Sequence, residues 1–330
     1  MEKTARESTN STRHHEMTGA RVLSVGHYQP ARVVTNETLA QMVDTNDEWI
    51  QRRVGIRERR WAGPEETVDV MAAGAGRDAL HKSGTPIEEV DTVIVATCTA
   101  LDRSPNMAAR VALSLGMRNH PATIDVNTAC SGFPYALAIA QQSIAFGSSR
   151  TALVIGSEKL TDTTDFADRN TCVLTADAAG ALVVTASPEQ EISPVVWGSV
   201  PELGDAVRIE RQNGDKLAQN GQAVFRWTTV QLPEIAKKVV TQAGLRPNDL
   251  GAIVLHQANL RIIEALARNI GAEHAIIATD VINSGNTSAA SIPLALSKLL
   301  ESTQIARGTP ILLFAFGGGL TYAGQVIKAP

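Results

Sequence analysis

The chain has 330 residues, of which 44% are hydrophobic, and its formal net charge is −4. This length and apolar content suit two domains, or one large α/β unit with a sizeable core. The charge argues against general nucleic-acid binding, and no apolar run of about 18 residues predicts a membrane span.

The three cysteines form neither an even framework nor a C-x-x-C pair. This pattern disfavours a disulfide or metal scaffold and favours a reducing, cytoplasmic location. Residues 1–19 are polar and lack the hydrophobic stretch of a secretory signal. We expect a disordered tail there, in which His14 and His15 are incidental.

Beyond the tail, short apolar runs alternate with helical patterns. The continuous β-branched run at 90–98 is typical of a strand buried on both faces. The alternation predicts parallel-rich sheets that are covered by helices. In chain order, the predicted elements are a strand in 20–30, a helix in 36–55 opened by Asn36, a helix in 67–84, the strand in 90–98, a helix in 107–116, a strand in 122–127, a helix in 135–147 and a strand in 151–158.

The second half of the chain repeats this arrangement. Residues 79–95 and 239–255 share a helix, a glycine, a proline-containing turn, an acidic residue and a buried strand, at an offset of 160. Self-similarity at this distance indicates a duplicated α/β domain, with halves at 20–190 and 191–330. Chance similarity between two helix–strand units is the alternative.

Cys130 lies in the segment NTACSGF, where a predicted strand gives way to a helix with Pro134 near its start. A helix N-terminus stabilises a thiolate, so this setting predicts a lowered pKa and a cysteine nucleophile. A buried structural thiol is the alternative. We assign Cys98 and Cys172, which lie in or beside apolar runs, to packing.

Two further polar segments follow predicted strands in the second half. His256 ends a buried strand, where catalytic groups gather in α/β proteins, although a satisfied structural histidine is the alternative. Asn286 is either a helix N-cap or a neutral donor to an oxyanion. The glycines at 317–319 either form a tight turn or let peptide N–H groups approach a substrate. We predict that Cys130 and His256 occupy comparable strand ends in the two halves.

Five motifs occur along the chain in this order: DEWIQRRVGIRERRWAGPEET, NTACSGF, HQANLRI, NSGNTSAASIPLAL and FGGGLTYAG. Together they resemble the thiolase-like condensing enzymes, specifically the β-ketoacyl-acyl carrier protein synthase III family. The resemblance runs from about residue 20 to residue 330. It implies an α/β fold of two related halves in five layers, αβαβα, with two mixed sheets, usually in a homodimer.

The resemblance implies a catalytic triad of Cys130, His256 and Asn286. An acyl-CoA would acylate Cys130, with the N–H groups of Cys130 and Gly318 holding the oxyanion. Malonyl-acyl carrier protein would then lose CO₂, with His256 and Asn286 stabilising the enolate. Attack on the acyl-cysteine would give a 3-ketoacyl-acyl carrier protein and initiate fatty acid or polyketide synthesis. The CoA thioester is a substrate, and no metal or redox cofactor is implied.

Further residues are assigned by the same resemblance. A basic patch on the helix after His256 would suit an acidic carrier protein, although pairing with Glu264 within the helix is the alternative. The expected CoA- or pantetheine-binding residues are Trp49, Arg53, Arg169 and Asn259. The expected carrier-docking residues are Arg226, Arg261 and Arg268.

The chain departs from the family pattern near the expected acyl pocket, which comprises Ser104, Thr175 and Phe316. Residues 174–181 read LTADAAGA where many relatives carry FGDGAGA, so Thr175 and Ala176 replace an aromatic–glycine pair. Ser104 stands where some relatives place a bulky apolar residue across the dimer interface. These small side chains predict a primer that is larger than acetyl, branched or unusual.

Three alternative functions are open. A same-fold acyltransferase would move an acyl group to a carrier or alcohol without condensation, but the presence of Asn286 favours condensation. Hydroxymethylglutaryl-CoA-type and chalcone-type synthases fit the NTACSGF context less well. A non-catalytic partner subunit would typically lack the nucleophile, which this chain has.

Overall fold

Two five-stranded mixed sheets form the frame of residues 18–330, which are the residues that the computed structural model describes. The predicted tail lies outside the described residues except for its last two. The strands are β1 (Gly19–Tyr28), β2 (Val33–Thr35), β3 (Glu58–Arg60), β4 (Thr92–Ala96), β5 (Ala122–Val126), β6 (Thr151–Lys159), β7 (Asp177–Ser187), β8 (Val196–Ser199), β9 (Val207–Glu210), β10 (Lys216–Gln219), β11 (Ala252–Leu255), β12 (Ile276–Ile277), β13 (Pro310–Gly317) and β14 (Thr321–Lys328).

The helices connect and cover these strands. They are α1 (Asn36–Ala40), α2 (Asp47–Val54), α3 (Val68–Ser83), α4 (Met107–Leu115), α5 (Gly132–Ala145), α6 (Gly221–Val230), α7 (Leu232–Gln242), α8 (Leu260–Ile270), α9 (Val281–Ser284) and α10 (Ser291–Ser302).

The segment 36–55, predicted as a helix opened by Asn36 and followed by a charged segment, holds two helices: α1 does begin at Asn36, and the charged part forms α2. The Thr35 hydroxyl caps α1 by accepting from the N–H of Thr38, and the Asn46 carboxamide caps α2 by accepting from the N–H of Trp49. Asn36, which was expected to open the helix, is buried and donates to Asp47 and to the carbonyl of Ile56. A second N-cap in the middle of the segment therefore divides it.

The two sheets have the same topology. The first has the order β1-β7-β6-β4-β5, and the second, from the corresponding edge, has the order β8-β14-β13-β11-β12. In each sheet the last three strands of this order are parallel and the remaining pairs are antiparallel. This agreement in order and direction is what a duplicated unit produces.

Helices form three of the five layers. α3 and α4 cover the outer face of the first sheet, and α7 and α8 share a buried cluster with the outer face of the second. α5 and α10 lie between the sheets and contact strands of both. One apolar cluster joins them, with Phe133 and Leu296 from these helices, Val154 from the first sheet and Leu313 from the second. The predicted five-layered αβαβα fold is confirmed.

The turns that lead into α5 and α10 are also related. Residues 127–134 read NTACSGFP and residues 286–293 read NTSAASIP, at a constant offset of 159. Ala129 and Ser288 occupy the same position in these turns, and both have the uncommon left-handed backbone, with φ of 47° and 49°. The shared sequence and the shared left-handed backbone show that the two turns are copies of the same turn.

This correspondence overturns the expected equivalence of Cys130 and His256. By the offset of 159, the counterpart of Cys130 is Ala289. His256 instead follows β11, whose counterpart is β4, and by the offset of 160 it corresponds to Ala96 in the other half. Cys130 and His256 therefore follow strands that do not correspond in the two halves, β5 for Cys130 and β11 for His256.

Candidate active site

One cavity of about 740 Å³ brings the three expected catalytic side chains together. Cys130, His256 and Asn286 all line it, with Trp49 and Arg53 nearer its entrance. Cys130 follows β5, His256 follows β11, and Asn286 follows α9. The duplication thus places a first-half thiol opposite a second-half imidazole and carboxamide.

Cys130 lies in a short 3₁₀ turn directly before α5, as the sequence predicts. Its pKa differs from the expectation: burial raises the pKa of the thiol to about 11, and hydrogen bonds from the Ser288 hydroxyl and from the N–H groups of Cys130 and Gly318 oppose this only in part. The predicted lowering of the pKa is wrong, because loss of water outweighs the helix N-terminus. At neutral pH the resting residue is a thiol.

The peptide N–H groups of Cys130 and Gly318 both act to lower the pKa of this thiol, against the effect of burial. Gly317 permits the approach: a Cβ at that position would lie 2.6 Å from the Cβ of Cys130. The glycine run therefore lets the backbone come next to the thiol, and it supplies a donor where an oxyanion would form.

His256 is 2% exposed, and its Nδ1 lies 2.7 Å from the Ser291 hydroxyl. The same oxygen accepts from the N–H of Gln257 at 3.3 Å, so its own proton is available for Nδ1. The 2.7 Å contact fits either tautomer; we assign the Ser291 proton to Nδ1, which places the ring proton on Nε2. Burial lowers the pKa of His256 to about 3. The imidazole is thus neutral at physiological pH and serves as a hydrogen-bond donor.

Asn286 is fixed by its backbone and by one side-chain bond. Its N–H donates to Leu174 at 2.8 Å, and its carbonyl accepts from Ala176 at 2.9 Å. Its Oδ1 accepts from the N–H of Ser288 at 2.9 Å. Within residues 18–330 no acceptor takes the Nδ2 protons, and the residue lines the cavity. The cavity therefore holds a second neutral donor beside His256 and Cys130.

The entrance is aromatic and cationic. The Arg169 guanidinium lies 4.3 Å from the centroid of the Trp49 ring, and that of Arg53 lies 5.9 Å from it. Arg169 also pairs with Asp44 at 3.4 Å. Asn259 lines the cavity but is used as the N-cap of α8, since its Oδ1 accepts from the N–H of Arg261 at 2.9 Å. The flat ring of Trp49 suits the base of a nucleotide, and the two guanidiniums suit its phosphates.

Two of the three expected acyl-pocket residues do not line the cavity of the described chain. Ser104 is exposed in the loop before α4. Thr175 is fully buried, and its hydroxyl accepts from Thr164 at 2.8 Å. Phe316 does line the cavity, where its ring packs edge-on against His256 with centroids 5.3 Å apart.

The expected docking arginines are exposed, on α6 for Arg226 and on α8 for Arg261 and Arg268. Arg261 lies at the cavity and over the ring of Phe225, 5.4 Å from its centroid. Over the part of the chain that the structure describes, no carboxylate lies within 4.0 Å of any of the three. The alternative of pairing with Glu264 is not formed.

Sequence analysis missed three polar groups at the centre: Glu158, Ser288 and Ser291. Glu158 had a visible signal, because a charged residue ends the otherwise apolar run TALVIGSE. The two serines had none beyond their place in a small-residue turn. Only the fold brings them next to the cavity residues.

A possible cation site lies elsewhere, where His27, Asp78 and Glu301 have their ligand atoms within 4.8 Å of one another. Lys82 already donates to both carboxylates, at 2.7 and 2.5 Å. An ammonium group therefore occupies the position that a metal ion would need. In residues 18–330 no helix is both long and apolar enough to cross a membrane.

Comparisons with known proteins agree with this site. The family profile described as 3-oxoacyl-[acyl-carrier-protein] synthase III matches residues 124–201, and its C-terminal profile matches residues 240–329. The chain is 57% identical to beta-ketoacyl-[acyl-carrier-protein] synthase III 2 of Streptomyces avermitilis, over 95% of this chain and 100% of that protein. It is also 57% identical to synthase III 4 of Streptomyces coelicolor, over 94% and 99%.

A solved structure agrees as well. The priming beta-ketosynthase from the R1128 polyketide biosynthetic pathway superposes with a TM-score of 0.93, at 39% identity, over 97% of this chain and 99% of that one.

The bond between Ser291 and His256 yields a test. Ser291→Ala removes the donor that holds Nδ1 as an acceptor, so the ring proton is shared between both nitrogens. Enolate stabilisation by Nε2–H should then fall about tenfold, the effect of one hydrogen bond of about 1.4 kcal/mol. Ser302→Ala, which removes an exposed hydroxyl from the same helix, is the control. Decarboxylation of malonyl-acyl carrier protein at the wild-type rate in Ser291→Ala would contradict the tautomer assignment.

Proposed function

The chain belongs to the 3-oxoacyl-[acyl-carrier-protein] synthase III family, and from this membership we propose that it condenses an acyl-CoA primer with malonyl-acyl carrier protein. The product is a 3-oxoacyl-acyl carrier protein, which initiates fatty acid or polyketide synthesis. The observation that carries the proposal is one cavity lined by a thiol, a neutral imidazole and a carboxamide, with the backbone of Gly317 packed against the thiol residue.

In the first half-reaction, the sulfur of Cys130 attacks the thioester carbonyl of the acyl-CoA. The negative oxygen of the tetrahedral intermediate accepts from the N–H groups of Cys130 and Gly318; the support for this role is the close packing of Gly317 against Cys130. CoA leaves as the C–S bond to it breaks. The product is an acyl-Cys130 thioester, which stores the primer in the cavity.

In the second half-reaction, malonyl-acyl carrier protein places its thioester carbonyl against His256 and Asn286. Loss of CO₂ leaves an electron pair that spreads onto this carbonyl oxygen. Nε2–H of His256 and Nδ2–H of Asn286 donate to that oxygen, and both groups are neutral, so no charged pair forms to compete with the developing enolate. The carbanion attacks acyl-Cys130, and the sulfur leaves as the new carbon–carbon bond forms.

For the CoA nucleotide, we propose Trp49 as the stacking surface and Arg53 and Arg169 as the partners of its phosphates. The support is that Trp49 and Arg53 line the cavity and that both guanidiniums lie over the Trp49 ring; Arg169 itself stands between the lining residues Asp168 and Asn170. The Asn259 side chain caps α8, so it orients the entrance wall rather than offering a free amide to the pantetheine arm.

For the carrier protein, we propose docking at Arg226, Arg261 and Arg268. Each is exposed and has no carboxylate partner among residues 18–330, and Arg261 lines the cavity. Unpaired cations beside an entrance attract an acidic partner and orient it there.

We further propose a homodimer in which the loop that carries Ser104 meets the second copy. Leu101 in this loop is 76% exposed and Leu113 on α4 is 80% exposed. α4, which carries Leu113, contacts β5, an edge strand of its sheet within the described chain. Exposed apolar side chains beside an open strand edge are what a second copy would cover.

The central proposal is tested by separating the half-reactions. Asn286→Ala should keep acylation of Cys130, read as a mass gain of the intact protein, and slow CO₂ release about 10²- to 10³-fold. Asn127→Ala removes the corresponding carboxamide from the related turn of the first half and is the matched control. Cys130→Ala should gain no acyl mass. A covalent adduct in Cys130→Ala would contradict the assignment, and acylation without CO₂ release in the wild type would favour the non-condensing acyltransferase.

The primer is tested with a panel of acyl-CoAs. Thr175 is buried outside the cavity, so the expected primer size depends on the exposed Ser104 loop of a second copy: if this small side chain closes the pocket, the wild type should be acylated faster by branched or longer primers than by acetyl-CoA. Ser104→Phe should shift the preference towards acetyl if the second copy closes the pocket with this loop. A strong wild-type preference for acetyl-CoA over every bulkier primer would refute the expected primer size.

A further inference from the structure

Glu158 is a buried acid that the mechanism above does not use. It lies in β6, whose residues are all buried, and it is 0% exposed. Among residues 18–330, no lysine, arginine or histidine nitrogen lies within 4.0 Å of its carboxylate. An acid that is buried without a cation loses its hydration, so hydrogen bonds have to replace the lost water contacts.

Both halves of the chain supply these hydrogen bonds. The loop after β4 contributes from the first half, and the turn before α10 contributes from the second. The contacts of the carboxylate are the N–H of Cys98 at 3.1 Å, the thiol of Cys98 at 3.3 Å, the hydroxyl of Thr97 at 3.1 Å, the N–H and hydroxyl of Thr99 at 3.1 and 2.6 Å, the hydroxyl of Ser288 at 2.9 Å and the N–H of Ala289 at 3.4 Å. Glu158 therefore fixes a turn of the second half to the end of a first-half strand.

The turn that Glu158 binds also carries Asn286, the proposed donor to the enolate. The hydroxyl of Ser288 donates to Glu158 at 2.9 Å, and the N–H of Ser288 donates to Oδ1 of Asn286 at 2.9 Å. Ser288 has the left-handed backbone, with φ of 49°, which a residue with a Cβ keeps only where its surroundings hold it there. Because a carboxamide is planar, the bond to Oδ1 also decides where the Nδ2 protons point. The contact with Glu158 thus bears on the donor that faces the cavity.

The related turn of the first half has the same bond without the acid. By the offset of 159, the counterpart of Glu158 is Gly317, and that of Ser288 is Ala129. The N–H of Ala129 lies 3.3 Å from Oδ1 of Asn127, whereas the corresponding distance in the second half is 2.9 Å. The shorter bond therefore occurs in the turn that a carboxylate holds, and this is the turn whose asparagine lines the cavity.

The strand of Glu158 also contacts this turn through its backbone. A Cβ at Gly156 would overlap the carbonyl oxygen of Ala289, so only a glycine allows β6 to come this close. The turn is thus held from the first half in two ways, by close backbone packing at Gly156 and by hydrogen bonds to Glu158.

We propose that Glu158 is a positioning residue for the decarboxylation half-reaction. Through Ser288 it holds the Asn286 carboxamide with Oδ1 engaged and with the Nδ2 protons available to the thioester carbonyl of malonyl-acyl carrier protein. This inference deepens the proposed function and rests on it for the identity of the reaction. Because acylation of Cys130 does not use Asn286, Glu158 should matter for CO₂ release and not for acylation.

Two variants cut this link at different points. Ser288→Ala removes the hydroxyl and keeps the N–H that binds Asn286, and the left-handed backbone of Ala129 shows that such a turn accepts an alanine. In Glu158→Gln the amide N–H₂ would face a peptide N–H in either orientation, because each carboxylate oxygen accepts from at least one. Ser157→Ala is the matched control, since this neighbouring buried hydroxyl donates to a carbonyl of α3 at 2.7 Å, away from the turn.

The test is a double-mutant cycle with Asn286→Ala, read as CO₂ release from malonyl-acyl carrier protein by the acylated enzyme. Ser288→Ala and Glu158→Gln should each slow CO₂ release about tenfold in the wild-type background, and about twofold or less in the Asn286→Ala background. Acylation of Cys130, read as a mass gain, should stay within about twofold of the wild type in both variants, as should both rates in Ser157→Ala. A merely structural role would slow CO₂ release by the same factor in both backgrounds. If Glu158→Gln does not fold, Ser288→Ala decides.

A second readout does not depend on the reaction. Hydrogen–deuterium exchange of the peptide that spans 286–291 should be about tenfold faster in Ser288→Ala and in Glu158→Gln, whereas the peptide that spans 127–132 should exchange as in the wild type.

Four results would overturn the positioning role: unchanged CO₂ release in the wild-type background, an equal loss in both backgrounds, an equal loss of acylation, or unchanged exchange at 286–291. If the exchange changes as expected while the wild type releases no CO₂, the proposed function fails and the positioning role stands.

Discussion

Loss of water at the junction of the two halves is the constraint on which this active site depends. The same burial raises the pKa of Cys130 to about 11, lowers that of His256 to about 3 and raises that of Glu158. Each group is thereby driven towards its neutral form. A site of neutral donors suits decarboxylation, where a carbonyl oxygen becomes negative. Because the site disfavours charged groups, formation of the Cys130 thiolate is also unfavourable. The proton of the thiol must therefore pass to another group during acylation.

The duplication explains how such a centre forms. Two copies of one turn meet between the sheets, and they have diverged at corresponding positions: Cys130 faces the cavity in one half, and Ala289 stands in its place in the other. Glu158 lies one residue before the end of β6, at the position that corresponds to Gly317 at the end of β13. The glycine lets the backbone pack against the nucleophile, whereas the glutamate places a buried carboxyl group at the equivalent position. The active site thus depends on positions at which the two related halves carry different residues.

The sequence predicts much of this arrangement. Buried strands, the repeat and the five motifs are local patterns, and they suffice for the layered fold and for the meeting of Cys130, His256 and Asn286 in one cavity. The pKa of Cys130 was predicted in the wrong direction, because a helix start is visible in sequence and desolvation is not. The position of Thr175 outside the cavity could not be predicted either, because its burial and its hydrogen bond with Thr164 exist only in the folded chain. Glu158 stood out in its strand, but only the packing of the second half shows its partners.

The protonation of His256 tests the central claim of a desolvated, neutral site most directly. Nitrogen NMR of the protein labelled at histidine, followed from about pH 8 to pH 5, reports the state of each ring nitrogen. The account predicts a proton on Nε2, an unprotonated Nδ1 and no change over this range. A ring that gains a second proton near its ordinary pKa, or that carries its proton on Nδ1, would contradict it.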